Sequence, residues 1–224
     1  MRFLLAAGAL ALAVTVRAGE IRDDFEGGAN PNLWRWSSGP GAIVADGGNP
    51  GAWLGSGEYF AFALDFLSAP PPGSPLADAL AAGVVTSVSF DFQRQPISCD
   101  QPGAYQRFYL ILTDTHGTPY HDDDDYAYVV GDSVPSAIGV WTHVSFEVPS
   151  DADALPPGWT GGYFGDPEHF RDGLTWPEFI RTVDEIDVSG INPFEAHTNG
   201  CFNAGIDSIA VDYATESIFA DGFD

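Results

Sequence analysis

Apolar residues in this chain recur at every second position, and they do so in one run after another. Phe60, Phe62, Leu64 and Phe66 share one face of an extended segment, Val88, Phe90 and Phe92 one face of the next, and Val144, Phe146 and Val148 one face of a third. A period of two buries one side of a β-strand. Residues 108–112 are apolar on both faces and read as a central strand, with residues 126–130 as another. The 26 glycines and 17 prolines cut the pattern into short pieces, roughly ten strands by their spacing. The expectation is all-β: a two-sheet antiparallel sandwich with one or two short helices.

The helices are expected at two places. Ser74-Pro75 followed by Leu-Ala-Asp-Ala-Leu-Ala-Ala and Gly83 supplies an N-cap, a first-turn proline and a glycine stop. Trp176, Phe179, Ile180 and Val183 recur at helical spacing just before a strand beginning at Glu185.

Charge narrows the partners. With 8 arginines and lysines against 32 acidic residues, the formal net charge is −24. No lysine occurs at all. Such a chain is repelled by nucleic acid and anionic lipid, and it has no lysine for Schiff-base or phosphate chemistry. The same excess keeps an exported protein soluble.

Export is expected from the first residues. Met-Arg-Phe leads into the apolar residues 4–16 and then Val16-Arg17-Ala18, where small residues alternate. That run is too short for a membrane span and suits a cleaved signal peptide, although Arg17 is unusual just before a cut. The expected organisation is therefore a signal peptide at 1–18, one domain at 19–214 and a tail at 215–224. The expected address is extracytoplasmic, without membrane insertion. Two cysteines in an exported chain imply a Cys99 to Cys201 disulfide.

Several segments carry a resemblance. Asp24-Phe-Glu-Gly-Gly with Trp34 and Trp36, Gly47-Gly-Asn-Pro-Gly-Ala-Trp-Leu54, Val88-Ser-Phe-Asp-Phe92, Tyr109-Leu-Ile-Leu112 and Gly205-Ile-Asp-Ser-Ile209 follow one another in order. This order resembles bacterial secreted jelly-roll β-sandwich domains of the galactose-binding-like and carbohydrate-binding-module kind. The tail, Ser217-Ile-Phe-Ala-Asp-Gly-Phe-Asp224, is similar to endings of exported γ-proteobacterial proteins and implies a sorting signal, with a frayed terminus as the alternative.

The resemblance implies one calcium ion tying the first strand to the last, with Asp24 or Glu26, Asn49 and Asp207 as ligands. Alternation places the Asp207 carboxylate on the same side as Ile209, Val211 and Tyr213, where it needs a partner or a metal. The acidic run His121-Asp-Asp-Asp-Asp-Tyr126 lacks EF-hand spacing and is expected to be a solvated hairpin loop.

Sugar rings present apolar C–H faces to aromatic side chains, so exposed rings beside polar groups are the ligand candidates. Trp34 and Trp36 are expected to pack within the sheet. The glycine-rich segment around Trp159 and Tyr163, followed by Asp166, His169 and Arg171, is the expected ligand loop, for a glycan or another cell-envelope component. A non-catalytic binding module is the first expectation; a structural surface protein is another.

Two fragments imitate enzymes. Gly131-Asp-Ser133 with Asp166-Pro-Glu-His169 resembles the serine and Asp-x-x-His blocks of SGNH-type esterases. Glu185-Ile-Asp-Val-Ser189 resembles the catalytic strand of laminarinase-like glycoside hydrolases, with Ser189 standing where the second glutamate belongs. The histidines have no zinc-like spacing.

Overall fold

The computed structural model describes residues 15–38, 41–62, 64–103, 106–118, 123–163, 166, 168–190, 192 and 199–217. Most of the expected signal peptide, His121 and Asp122 of the acidic run, and the tail from 218 lie outside them. In chain order the elements are β1 (Thr15–Asp23), β2 (Arg35–Trp36), β3 (Ala42–Gly48), β4 (Gly51–Gly55), β5 (Tyr59–Ala61), β6 (Asp65–Ser68), α1 (Pro75–Ala82), β7 (Val84–Arg94), β8 (Arg107–Asp114), β9 (Asp125–Ser133), β10 (Thr142–Glu147), β11 (Trp159–Tyr163), α2 (Trp176–Phe179), β12 (Glu185–Ser189), β13 (Gly200–Phe202) and β14 (Ala204–Ser217).

Two antiparallel sheets face each other. The first runs β10-β7-β14-β4-β3, with β1 paired along the far half of β14; the second runs β11-β9-β8-β12-β6-β2, and β13-β5 form a separate ribbon. The fold is the expected all-β jelly-roll sandwich. β1 begins before the expected cut, and its pairs from Gly19↔Tyr213 to Asp23↔Ile209 lie on the domain side of it.

The alternating residues close the space between the sheets. Val88, Phe90 and Phe92 of β7 meet Phe66 of β6 and Phe108 of β8, with ring centroids 4.9 Å apart for Phe66–Phe90, 5.4 Å for Phe90–Phe108 and 5.0 Å for Phe92–Phe108. All are essentially buried. Edge-to-face contacts between rings of opposite sheets fix their spacing as well as excluding water. Trp34 and Trp36 pack on Phe66 as expected, at 6.2 and 5.6 Å.

Both helices begin on side-chain caps. Ser74 Oγ accepts the Ala77 N–H, and Thr175 donates through N and Oγ1 to Glu178 Oε2. Asn32 joins layers: its amide donates to Asp23 and its oxygen accepts the Leu76 N–H of α1. Trp34 Nε1 donates to the same Asp23 carboxylate at 2.7 Å. Burial raises the pKa of Asp23 despite these donors.

Two local expectations need correction. Phe60 and Phe62 do not join Leu64 and Phe66 in the core; they are 56% and 63% exposed. β5 leaves the main sheets to pair with β13, so the face changes before β6 begins. The Cys99–Cys201 disulfide closes beside this ribbon, with the two Cα atoms 6.5 Å apart. Its loop spans 102 residues, a size for which the chain-entropy model gives at most about 4–5 kcal/mol.

The second correction concerns Asp207. Ile206, Ile209 and Val211 all face the core, which two-residue alternation cannot arrange. Ser208, at φ 51°, forms a bulge at this point, and the pairing with β7 shifts between Asp207 and Ala210. Asp207 therefore lies on the outer face of the first sheet, opposite Asp91. It is nevertheless 0% exposed.

Candidate ligand face and cation pocket

What covers Asp207 is the β3–β4 connection. Asn49 N–H donates to Asp207 Oδ2 at 2.5 Å, Ser208 N–H donates to Oδ1 at 2.6 Å, and Ser208 Oγ donates to the Asn49 carbonyl. Glu26 arrives from the other side and accepts the Ala52 N–H at 3.0 Å. Gly48 permits this closure: a Cβ there would lie 2.7 Å from Asp207 Oδ2, 2.7 Å from the Gly51 carbonyl and 2.6 Å from the Ala52 carbonyl. Burial, then the charges of Asp91 and Glu26, outweigh the two donated N–H groups and raise the Asp207 pKa.

Calcium takes roughly six to eight oxygens, carboxylate and carbonyl alike. The Asp207 carboxylate and the Gly51 and Ala52 carbonyls crowd around Gly48, and the exposed Glu26 carboxylate lies against Gly51; these oxygens are the ones that would serve as donors to such an ion. The other two expected ligands are placed differently. Asp24 is exposed and accepts the Glu26 N–H, while the Asn49 side chain donates to Asp91. Among the described residues, the only trio of ligand-type side chains gathered together is Glu58, Cys99 and Cys201, where the disulfide removes both thiolates.

The expected ligand loop is only partly a surface. Tyr163 is half-buried beneath the Arg171 guanidinium, 4.7 Å above its ring. Asp166 pairs with His169 Nδ1 at 3.1 Å and accepts the Glu168 N–H, and these bonds, the Glu168 one first, hold its pKa below the usual value. Arg171 N–H donates to the buried Asp125. Trp159 is different: it is 8% exposed and packs 5.2 Å from Trp176. The expected stacking ring is a core residue.

The esterase-like fragments do not assemble. Asp166 bridges to Tyr163, which pairs with Asp125 at the start of β9, whereas Ser133 ends that strand. Eight residue steps along the strand separate these ends by roughly 26 Å.

A different face gathers side chains from three adjacent strands. On the second sheet, Tyr109, Ile111 and Thr113 of β8, Tyr126, Tyr128 and Val130 of β9, and Glu185, Asp187 and Ser189 of β12 alternate with core residues and point away from the core; Tyr109, Ile111, Thr113 and Ser189 are nevertheless buried, and Tyr126, Tyr128, Val130, Glu185 and Asp187 carry its accessible surface. Registry aligns Tyr109 with Val130 and Ser189, and Ile111 with Tyr128 and Asp187. Tyr126 and Tyr128 lie 6.5 Å apart with planes at 28°, and Tyr109 lies 6.2 Å from Tyr128. Asp65 of β6 borders the acids, opposite Ser189.

Asp187 is the centre of this face. Its Oδ1 is shut off from solvent and has no hydrogen-bond partner among the described residues. Burial, then the charges of Asp65 and Glu185, raise its pKa well above the ordinary carboxylate value. The folded protein thus holds this proton to higher pH than the unfolded chain does. That contribution to stability is complete below the ordinary aspartate pKa and is lost as pH rises through the raised one. Asp187→Asn, which cannot ionise, is expected to gain stability relative to wild type as pH rises through that window. Urea unfolding at several pH values checks it; a pH-independent difference would contradict it.

In sequence, Tyr126 and Tyr128 show only the alternation of an ordinary strand, and nothing marks Tyr109. Their meeting depends on register between strands far apart in the chain.

Comparison with known proteins adds little to this geometry. No family model matches the chain, and no curated protein does. Solved structures give weak likenesses. A carbohydrate esterase, vb_24B_21, of the Shiga toxin-encoding bacteriophage phi24B shares 14% identity over 80% of this chain and 89% of that one, with a TM-score of 0.39. CtCBM11 shares 17% over 93% and 99%, at 0.37, and SGBP-B from a xyloglucan utilization locus of Bacteroides uniformis 16% over 87% and 49%, at 0.33. At these scores the likenesses carry no argument about ligand or activity.

Proposed function

We propose that the chain is an exported, non-catalytic binding module for an uncharged glycan. The glycan lies across the tyrosine face of the second sheet, and calcium occupies the Asp207 pocket as a structural ion. One observation carries the ligand assignment: the near-parallel, half-buried rings of Tyr126 and Tyr128, 6.5 Å apart, on the same sheet face as Glu185 and Asp187. Carboxyl groups on that face are hydrogen-bond partners for sugar hydroxyls. The Tyr126 and Tyr128 rings offer surfaces for the apolar C–H faces of the same sugar. Asp65 and Glu185 repel a polyanionic glycan, which favours a neutral one. Export rests on the leading apolar run and agrees with the disulfide.

Depletion of the protein by insoluble neutral polysaccharides tests the proposal. Tyr128→Ala, a half-buried position, is expected to weaken binding by about tenfold, the loss of one good stacking contact, with little change in melting temperature. Equal retention of both proteins on every polysaccharide, or of neither, would count against it.

The raised Asp187 pKa beside two other carboxylates also favours a second reading, a glycoside hydrolase. That reading requires release of reducing ends from a β-glucan by wild type and its loss in Glu185→Gln. The binding module requires no turnover by either.

A further inference from the structure

The outer face of the first sheet carries a second aromatic pair, unrelated to the tyrosines. Trp53 of β4 and Trp141, which precedes β10, meet edge to face with centroids 5.9 Å apart and planes at 79°. Both are half-buried, whereas Trp34, Trp36, Trp159 and Trp176 are all at most 8% exposed. The indoles are held by their polar ends: Trp53 Nε1 donates to the Asp46 carbonyl at 3.1 Å and Trp141 Nε1 to the Gly47 carbonyl at 3.0 Å. With both donors engaged, what the pair offers outward is π-surface.

Glycine makes the floor beneath them. A Cβ on Gly205 would come within 2.4 Å of the Trp53 ring and 3.3 Å of the Trp141 ring. Gln93 pairs with Gly205, and Asp91 lies two residues along on the same face. Asp91 Oδ1 accepts from His143 Nδ1 at 2.9 Å, and the His143 side chain is 64% exposed. A carboxylate partner fixes the proton on Nδ1 and leaves Nε2 for a ligand. The surface is thus a rigid aromatic platform with a polar border.

Charge decides among occupants. The Asp91 carboxylate and a formal net charge of −24 repel anions. Donor-free indole faces suit apolar C–H surface, and a border of imidazole and carboxylate suits hydroxyl groups.

We propose that Trp53 and Trp141 form a second sugar-binding platform, on the sheet opposite the tyrosine face, that takes the apolar face of a neutral sugar ring. Two sites on opposite faces let one domain bridge two glycan chains.

Acrylamide quenching of tryptophan emission reads this site selectively, because the other four of the six tryptophans are core residues shielded from the quencher. The full chain is titrated with the soluble hexaoses of β-1,4-linked glucose, xylose and mannose. At least one is expected to shift the emission and shield it from acrylamide, in wild type and equally in Tyr128→Ala. Trp53→Leu and Trp141→Leu are each expected to weaken that response about tenfold. Retained polysaccharide binding through the tyrosines shows that these variants fold. Acrylamide shielding in the unmutated protein gives the same answer without any substitution. Emission and quenching unmoved by all three hexaoses, or a response abolished by Tyr128→Ala, would overturn the proposal. Failure of the tyrosine site alone is distinguishable, since emission would still respond while depletion by polysaccharide was unchanged in Tyr128→Ala and weakened in Trp53→Leu.

Discussion

Trp159→Ala lowers the unfolding free energy by about 3–5 kcal/mol, the usual cost of truncating a buried aromatic residue. Trp159 sits in a stack of rings: Trp176 at 5.2 Å, then Phe179 at 5.9 Å from Trp176, with Phe170 lying parallel to Phe179 at 4.6 Å. Removing the first ring opens a cavity that β11 cannot close without leaving β9. Urea unfolding monitored by circular dichroism measures the loss. Glycan affinity of the folded fraction should stay unchanged. A loss of stability under about 1 kcal/mol, the range of surface substitutions, together with abolished glycan binding, would return the ligand to the Trp159–Arg171 region.

Asp207→Ala is the second large effect. The carboxylate is the acceptor for the Asn49 and Ser208 N–H groups beneath a closed loop. Two donors left without an acceptor cost roughly 1–3 kcal/mol each, so a loss of about 3 kcal/mol or more is expected even without metal. Calcium adds a linkage term, because an ion that binds only the folded protein stabilises it in proportion to RT ln(1 + [L]/Kd). Millimolar calcium is therefore expected to raise the melting temperature of wild type and not that of Asp207→Ala. An equal rise in both would remove the ion from this pocket.

The strands of the core were legible because a period of two is a local property: Val88, Phe90 and Phe92, or Val144, Phe146 and Val148, need no knowledge of their neighbours. Phe60 and Phe62 kept the period but changed sheets, and only the pairing with β13 reveals that they face solvent. Asp207 was read one face off because a single bulge at Ser208 reverses every side chain before it. Trp159 was misplaced by the glycines beside it. Gly161 does not bare the ring; it makes room for Phe170, whose ring would come within 2.5 Å of a Cβ there. The tyrosine face was the least legible feature, since its residues come from β8, β9 and β12 and meet through register alone. The Glu185, Asp187, Ser189 side of β12 was visible as alternation, but the effect of Asp65 on Asp187 was not, because β6 lies over a hundred residues away.

The most direct test is amide chemical-shift mapping of the full chain with a neutral oligosaccharide that its polysaccharide form shows to bind. The account predicts perturbations at residues 109–113, 126–130 and 185–189 of the second sheet that Tyr128→Ala removes, while any around Trp53 and Trp141 persist in that variant. Perturbations confined to residues 159–173, with the tyrosine strands unmoved, would contradict it.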